Sequence, residues 1–282
     1  MNLSYGLKIL GVISVLLFVI GGVVFISQRP SQPSTPSTPK EVKETPFVIL
    51  SVNGERSASL VLGEEVNVTG QISEYRSNLT QKINVYADYE KECMLIAVIE
   101  PRETFSFKWK PQNVGLYEIY AVIPGIEYQG WFTTNSGIKV NYECIARVKV
   151  YNERAVITLE VEPSSIKVGE VVTIQGKVSN SAVKSVYNPE VYFDYVSVTI
   201  YYRIETEKEE ILGNAKPISD GSFSLTWIPS LPGKYLLRAE VSSWEGTLTT
   251  TSTFFGIPQS SETRPYSILG ASSAPLMLEV NP

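Results

Sequence analysis

Two stretches of this chain occur twice, in the same order. Residues 60–73 (LVLGEEVNVTGQIS) return at 166–179 (IKVGEVVTIQGKVS), with Gly63 over Gly169 and Gly70 over Gly176 at a constant offset of 106. Residues 104–123 (TFSFKWKPQNVGLYEIYAVI) return at 222–241 (SFSLTWIPSLPGKYLLRAEV) at an offset of 118, pairing Phe105 with Phe223, Trp109 with Trp227, Pro111 with Pro229, Gly115 with Gly233 and Tyr117 with Tyr235. The change of offset marks an insertion of about twelve residues between the blocks of the second copy. A duplicated pattern obliges the chain to build one unit twice, each around its own core. The 282 residues, 43% of them hydrophobic, supply enough apolar surface for both.

The blocks alternate with period two. Val66, Val68 and Ile72 share one face, as do Phe105, Phe107 and Trp109, and Val196, Val198, Ile200 and Tyr202 oppose Ser197, Thr199, Tyr201 and Arg203. That period belongs to half-buried strands, not helices. Asp220-Gly221 and Pro232-Gly233 provide turn chemistry, and no stretch after residue 46 has the spacing of a long amphipathic helix. About seven short strands per copy over 100 to 115 residues predict an all-β protein built from sandwiches of immunoglobulin type. The expected domains are residues 47–151 and 155–256, with a C-terminal tail over 257–282 whose apolar run, Ala274 to Val280, would fold back as an edge strand, remain loose or add to a neighbouring sheet, in that order.

At these residues the chain resembles the tandem immunoglobulin-like or fibronectin-like modules of prokaryotic, in particular archaeal, membrane-anchored surface proteins. Their shared pattern is roughly V-G-E-x-V-x-I-x-G, then G-x-F-x-x-x-W-x-P and G-x-Y. The resemblance implies two tandem immunoglobulin-like β-sandwiches and export, and it says little about function, because such modules host many roles. Glu103-Thr104 departs from it where the second copy has Asp220-Gly221.

Residues 9–26 (ILGVISVLLFVIGGVVFI) carry no charge, and as a helix they would span about 27 Å, enough to cross a bilayer. Lys8 precedes them and no basic residue follows before Arg29, which orients the N-terminus toward the cytoplasm. The expectation is a cytoplasmic stub (1–8), a transmembrane signal anchor (9–28) and a Pro/Ser/Thr-rich stalk (29–46). A cleaved signal peptide is the rival reading, but VVFISQRP lacks the small-residue cleavage site. The stalk, RPSQPSTPSTPKEVKETP, is too polar to pack and too rich in proline to fold, so it favours extended polyproline II.

Histidine is absent, which removes Ser-His-Asp and Cys-His catalysis and histidine metal sites. A net charge of −5 disfavours nucleic acid as a partner. EKEE at 207–210 reads as a solvated hairpin tip rather than a metal site, and no cofactor motif is visible.

The remaining candidates are binding and stabilising residues. Cys93 and Cys144 are the only cysteines, and an isolated pair within one exported domain reads as a disulfide. Asn67-Val-Thr and Asn78-Leu-Thr fit the N-glycosylation sequon. Loop aromatics form two groups: Tyr128, Trp131 and Phe132 between the sixth and seventh strands of the first copy, and Tyr187, Tyr192, Phe193 and Trp244 in the second. They would stack on a glycan, anchor a protein partner or seal the joint between the modules. Only Asn152, Glu153 and Arg154 separate the modules, which places the second group near that joint.

The functional expectation is a non-enzymatic, single-pass membrane protein whose extracellular bulk presents two immunoglobulin-like domains for adhesion or cell-surface assembly, with a protein or glycan partner. The alternative is an anchored accessory or substrate-capturing subunit of a membrane enzyme or transporter complex.

Overall fold

The computed structural model describes residues 47–73, 79–126, 132–179, 196–205, 207–254 and 257–282, without the side chains of residues 142, 248–254 and 257–261. The expected stub, anchor and stalk lie outside the described residues. Within the described residues no helix is long and apolar enough to cross a membrane.

The first copy of the repeat supplies β1 (Val48–Val52), β2 (Ser57–Val61), β3 (Val66–Ile72), β4 (Ile83–Tyr89), β5 (Glu92–Ile99), β6 (Thr104–Trp109) and β7 (Gly115–Val122). A two-residue pair, β8 (Phe132–Thr133) and β9 (Lys139–Val140), follows, then a 3-10 turn (Tyr142–Cys144), β10 (Ala146–Tyr151) and the linker strand β11 (Glu153–Arg154). The second copy supplies β12 (Val156–Glu162), β13 (Ser165–Lys167), β14 (Val172–Ser179), β15 (Val198–Ile204), β16 (Glu210–Ala215), β17 (Ser222–Trp227) and β18 (Gly233–Val241). After these come β19 (Trp244–Phe254), β20 (Ile257–Leu269), β21 (Ala271–Ser272) and β22 (Leu276–Asn281).

The sheets repeat as the sequence does. A small sheet ordered β1-β3-β6 faces a larger one ordered β2-β10-β7-β4-β5, and β12-β14-β17 and β13-β22-β18-β15-β16 stand in the same orders. Alternation drives this assembly. Val66, Val68 and Ile72 turn inward from β3 while Asn67 and Gln71 face solvent, and Val172, Ile174 and Val178 do the same from β14. Each pair of sheets closes over its own apolar cluster, one around Leu50, Val68, Ile83, Tyr117 and Val148, the other around Ile174, Val198, Ile200, Tyr235 and Leu278.

The repeated motif residues have identifiable packing roles. Phe105 lies across Gly70, and Phe223 lies across Gly176, so close that a Cβ at either glycine would stand 2.2 or 2.5 Å from the ring. Trp109 meets Tyr117 edge to face at 5.1 Å, and Trp227 meets Tyr235 at 5.0 Å. The Tyr117 hydroxyl donates to the Asn113 carbonyl at 3.1 Å, and that of Tyr235 to the Leu231 carbonyl at 2.8 Å. This four-residue return is the tyrosine corner of immunoglobulin-type sandwiches, and with the strand orders it identifies the architecture as all-β and immunoglobulin-like.

The segment read from the sequence as a tail folds back as a strand, but inside the sheet and not at its edge. Residues 257–282 hold β20 and β22, and β22 runs between β18 and β13, with Tyr235 opposite Leu278 and Ile166 beside Val280. Leu278 and Val280 are buried in the second core, which therefore extends past residue 256 to Asn281. The reason is the core itself: without β22, the inner faces of β18 and β13 would lack a neighbour.

Candidate functional site

In both copies the connection between the last two strands of the large sheet, β7 to β10 and β18 to β22, carries strands of its own among the described residues. In antibody variable domains the corresponding connection is one of the recognition loops, whereas other sandwiches of this type host many roles.

The first connection folds back on its own sheet. The second half of β7 is apolar on both faces: Tyr117, Ile119 and Ala121 enter the main core, while Tyr120 and Val122, beyond the ion-paired Glu118, point outward into a cluster with Val140 and Ile145. Phe132 packs against that cluster, so this expected loop aromatic serves as a cover for the sheet. A buried polar latch holds the cover down. The Tyr120 hydroxyl donates to Asp88 Oδ1 at 3.1 Å, and the Asn135 amide donates to Asp88 Oδ2 at 2.6 Å. Ser136 Oγ stands 3.0 Å from the Tyr120 hydroxyl and 2.8 Å from Thr134 Oγ1, and the Asn135 side chain donates to the Glu90 and Glu92 carbonyls. Burial pushes the Tyr120 phenol far above its ordinary range.

Cys93 and Cys144, expected to be bonded, are free thiols. Strand register explains the correction. Ala146, Ile119, Ala87 and Met94 form one row across β10, β7, β4 and β5. The neighbours of the two cysteines therefore stand three strand spacings apart, about 14 Å, and a disulfide needs Cα atoms within about 7 Å. Cys93 Sγ lies 3.3 Å from the Tyr120 hydroxyl, while the turn carrying Cys144 leans on β1. Burial raises the Cys144 thiol above its ordinary value.

The second connection is a long two-stranded arm. β19 and β20 pair antiparallel from Trp244 opposite Ile268 to Phe254 opposite Ile257. At its root Ser267, Ile268 and Leu269 are buried, and Trp244 and Tyr266 pack on the second core. Farther out, four consecutive residues, Glu262 to Pro265, are exposed on both faces, so the ribbon leaves the body of the protein there.

The root also grips the linker. β11 pairs parallel with Ile268 and Leu269, the Ala155 amide donates to the Leu269 carbonyl at 2.8 Å, and Asn152 Oδ1 accepts from the Ser267 amide at 2.8 Å. Lys149 Nζ meets Glu245 at 3.0 Å, and Arg154 reaches Glu64 at 3.2 Å. Because β20 runs parallel to the linker, the arm points from its root back toward the first copy, where β20 touches β10 and β2.

Other expected residues divide as follows. Asn67 is exposed on β3, its amide bonded to Asn53 Oδ1 at 3.0 Å. Asn78, Tyr128, Trp131, Tyr187, Tyr192 and Phe193 lie outside the described residues. In EKEE, the Glu209 carboxylate receives two bonds from Arg238 at 3.1 and 2.8 Å, which hold its carboxyl below the ordinary range, and Glu210 accepts from the Tyr202 hydroxyl at 2.7 Å. Among the described residues no group of three or more His, Cys, Asp and Glu is placed to hold a metal ion. Sequence reasoning missed Asp88, Asn152 and Ser267. Asp88 left one trace, a carboxylate inside the apolar run INVYADY, where strands disfavour it.

No family model matches the chain, and no curated protein does. Among solved structures it is similar to one described as a marsupial T cell receptor, at 10% identity over 83% of this chain and 73% of that one, with a TM-score of 0.27.

Proposed function

We propose that the chain is a non-enzymatic cell-surface protein, held by residues 9–28 in the membrane and raised on the 29–46 stalk, whose two immunoglobulin-like domains serve adhesion or surface assembly. The first domain runs from residue 47 to 151 and the second from 155 to 282. The observation that carries this reading is the arm. A two-stranded ribbon gains little stability from itself, and where it is exposed on both faces, at Glu262 to Pro265, its extension beyond the root supports a contact outside the chain. The chemistry along it is that of recognition, with backbone edges and hydroxyls and without a constellation of catalytic roles.

The test is protease treatment of intact cells followed by detection of residues 47–282. Digestion without lysis is the expected result. Protection in intact cells with digestion after lysis defeats the proposal.

A further inference from the structure

Among the described residues the two edges of the arm carry different residues, and the difference bears on what binds there. β19 is the outer strand of its sheet among the described residues, and it is the longest edge, eleven residues against eight for β5. Exposed edges are normally blunted by short length, proline, charge or bulges. The edge of β20 beyond its two pairs with β11 is blunted: it holds Pro258, Glu262, Arg264 and Pro265. β19 is not. From Gly246 to Phe254 it reads GTLTTTSTF, with no proline and no charge, and its one register shift lies near the tip, between Ser252 and Thr253.

The geometry points to β19 as the interface with a second copy of this chain, the two β19 strands adding edge to edge, antiparallel, about a two-fold axis at Thr250. Resting on the surface-assembly reading above, this names the partner. In an antiparallel self-pair each residue meets its mirror image about the axis, so any charge inside the pairing window brings a like charge close. GTLTTTSTF brings none. It sets Thr250 opposite Thr250, Thr249 opposite Thr251, Thr247 opposite Thr253 and Leu248 opposite Ser252, and Thr–Thr pairs are favourable across strands. Two marginal ribbons become one four-stranded sheet, and the contact is isologous, so it closes at two copies.

The experiment uses the full chain in mild detergent. Thr250→Cys places a thiol on the axis. Mild oxidation is expected to link most of it into a covalent dimer, whereas the unaltered chain, which carries the same Cys93 and Cys144, stays unlinked, as does Arg264→Cys on β20. Thr249→Lys with Thr251→Lys puts lysines face to face and is expected to weaken dimerisation, read by mass photometry, by about tenfold or more while circular dichroism stays unchanged.

A monomeric unaltered chain at micromolar concentration, or equal cross-linking of Thr250→Cys and Arg264→Cys, overturns the proposal. A monomer that binds a different protein along β19 overturns it too. The surface reading fails separately: a chain protected inside cells would still dimerise, and an exposed chain that stays monomeric leaves adhesion standing without this interface.

Discussion

Asn152 Oδ1 accepts hydrogen bonds from both the Ser267 amide, at 2.8 Å, and the Ser267 hydroxyl, at 3.2 Å, although the residues are 115 positions apart. The Asn152 amide returns a bond to the Ser267 carbonyl at 3.1 Å. One side chain in a three-residue linker thus fixes the root of an arm that belongs to the second copy. Asn152→Ala should leave the buried Ser267 amide without that acceptor and cost about 1–2 kcal/mol. Hydrogen exchange at Ser267 and along 244–247 should accelerate while the exchange of β3 and β14 stays the same. Unchanged exchange at Ser267 would show that the linker, not the side chain, holds the root.

The tyrosine corners provide a test of how independent the two cores are. Tyr117→Phe removes the bond to the Asn113 carbonyl, and Tyr235→Phe the bond to the Leu231 carbonyl, each at about 1 kcal/mol. If each core melts as a unit, Tyr117→Phe lowers only the transition that reports Trp109, and Tyr235→Phe only the one that reports Trp227. Equal shifts of both transitions by either substitution would mean a single cooperative unit.

Much of the fold was legible because strand alternation acts locally and the G-x-Y and F-x-x-x-W motifs recur: the Tyr117 return is local, and Phe105 over Gly70, though distant in sequence, is repeated as Phe223 over Gly176. β22 was legible as an apolar run able to fold back as a strand, but its place inside the sheet was not. LMLEVN is a short alternating run after a Ser- and Pro-bearing stretch, and its period does not say that it lies between β18 and β13 rather than at an edge. The arm and the latch were hidden for another reason. Asp88 with Tyr120, and Asn152 with Ser267, are partnerships set by topology across 32 and 115 positions, which no periodicity encodes.

Alkaline pH should destabilise the first copy through Tyr120. Burial raises its folded-state value above the ordinary 10, so the unfolded chain loses the proton first. The stabilisation is complete below pH 10 and declines as pH rises through the folded value, by at most about 1.4 kcal/mol per pH unit for this one group. Tyr120→Phe should flatten urea-derived stability between pH 10 and 11, at the expense of the Asp88 bond at neutral pH. Identical slopes in both proteins would assign the alkaline loss to the other buried tyrosines.

The cysteines make a prediction opposite to their sequence reading. Unfolded without reductant, the chain should show two reactive thiols. Folded, it should protect Cys144, which is 5% exposed and whose thiol burial raises, more strongly than the half-buried Cys93. A single-band shift on reduction, with no thiol labelled beforehand, would restore the bond.

The repeated glycines should not respond alike to a methyl group. At Gly70 the atoms nearest an added Cβ are all on the Phe105 ring, beginning at 2.2 Å. At Gly176 the Phe223 ring stands at 2.5 Å, but the Thr158 carbonyl oxygen is closer still, at 2.1 Å. A ring can be replaced by a smaller side chain, whereas a carbonyl belongs to β12 and is fixed by its pairing, with Leu159 directly opposite Gly176. Both Gly70→Ala and Gly176→Ala overpack their cores and should cost about 1–3 kcal/mol, with Gly176→Ala at or above the upper end. Adding Phe105→Leu to Gly70→Ala makes room for the methyl and should recover part of the loss, so the double variant is more stable than the sum of the singles. Adding Phe223→Leu to Gly176→Ala should recover little, because the contact with Thr158 persists and the lost ring adds its own cost. Equal recovery in both pairs would mean that β12 can shift away from β14, and that the two small sheets differ in rigidity despite their common strand order.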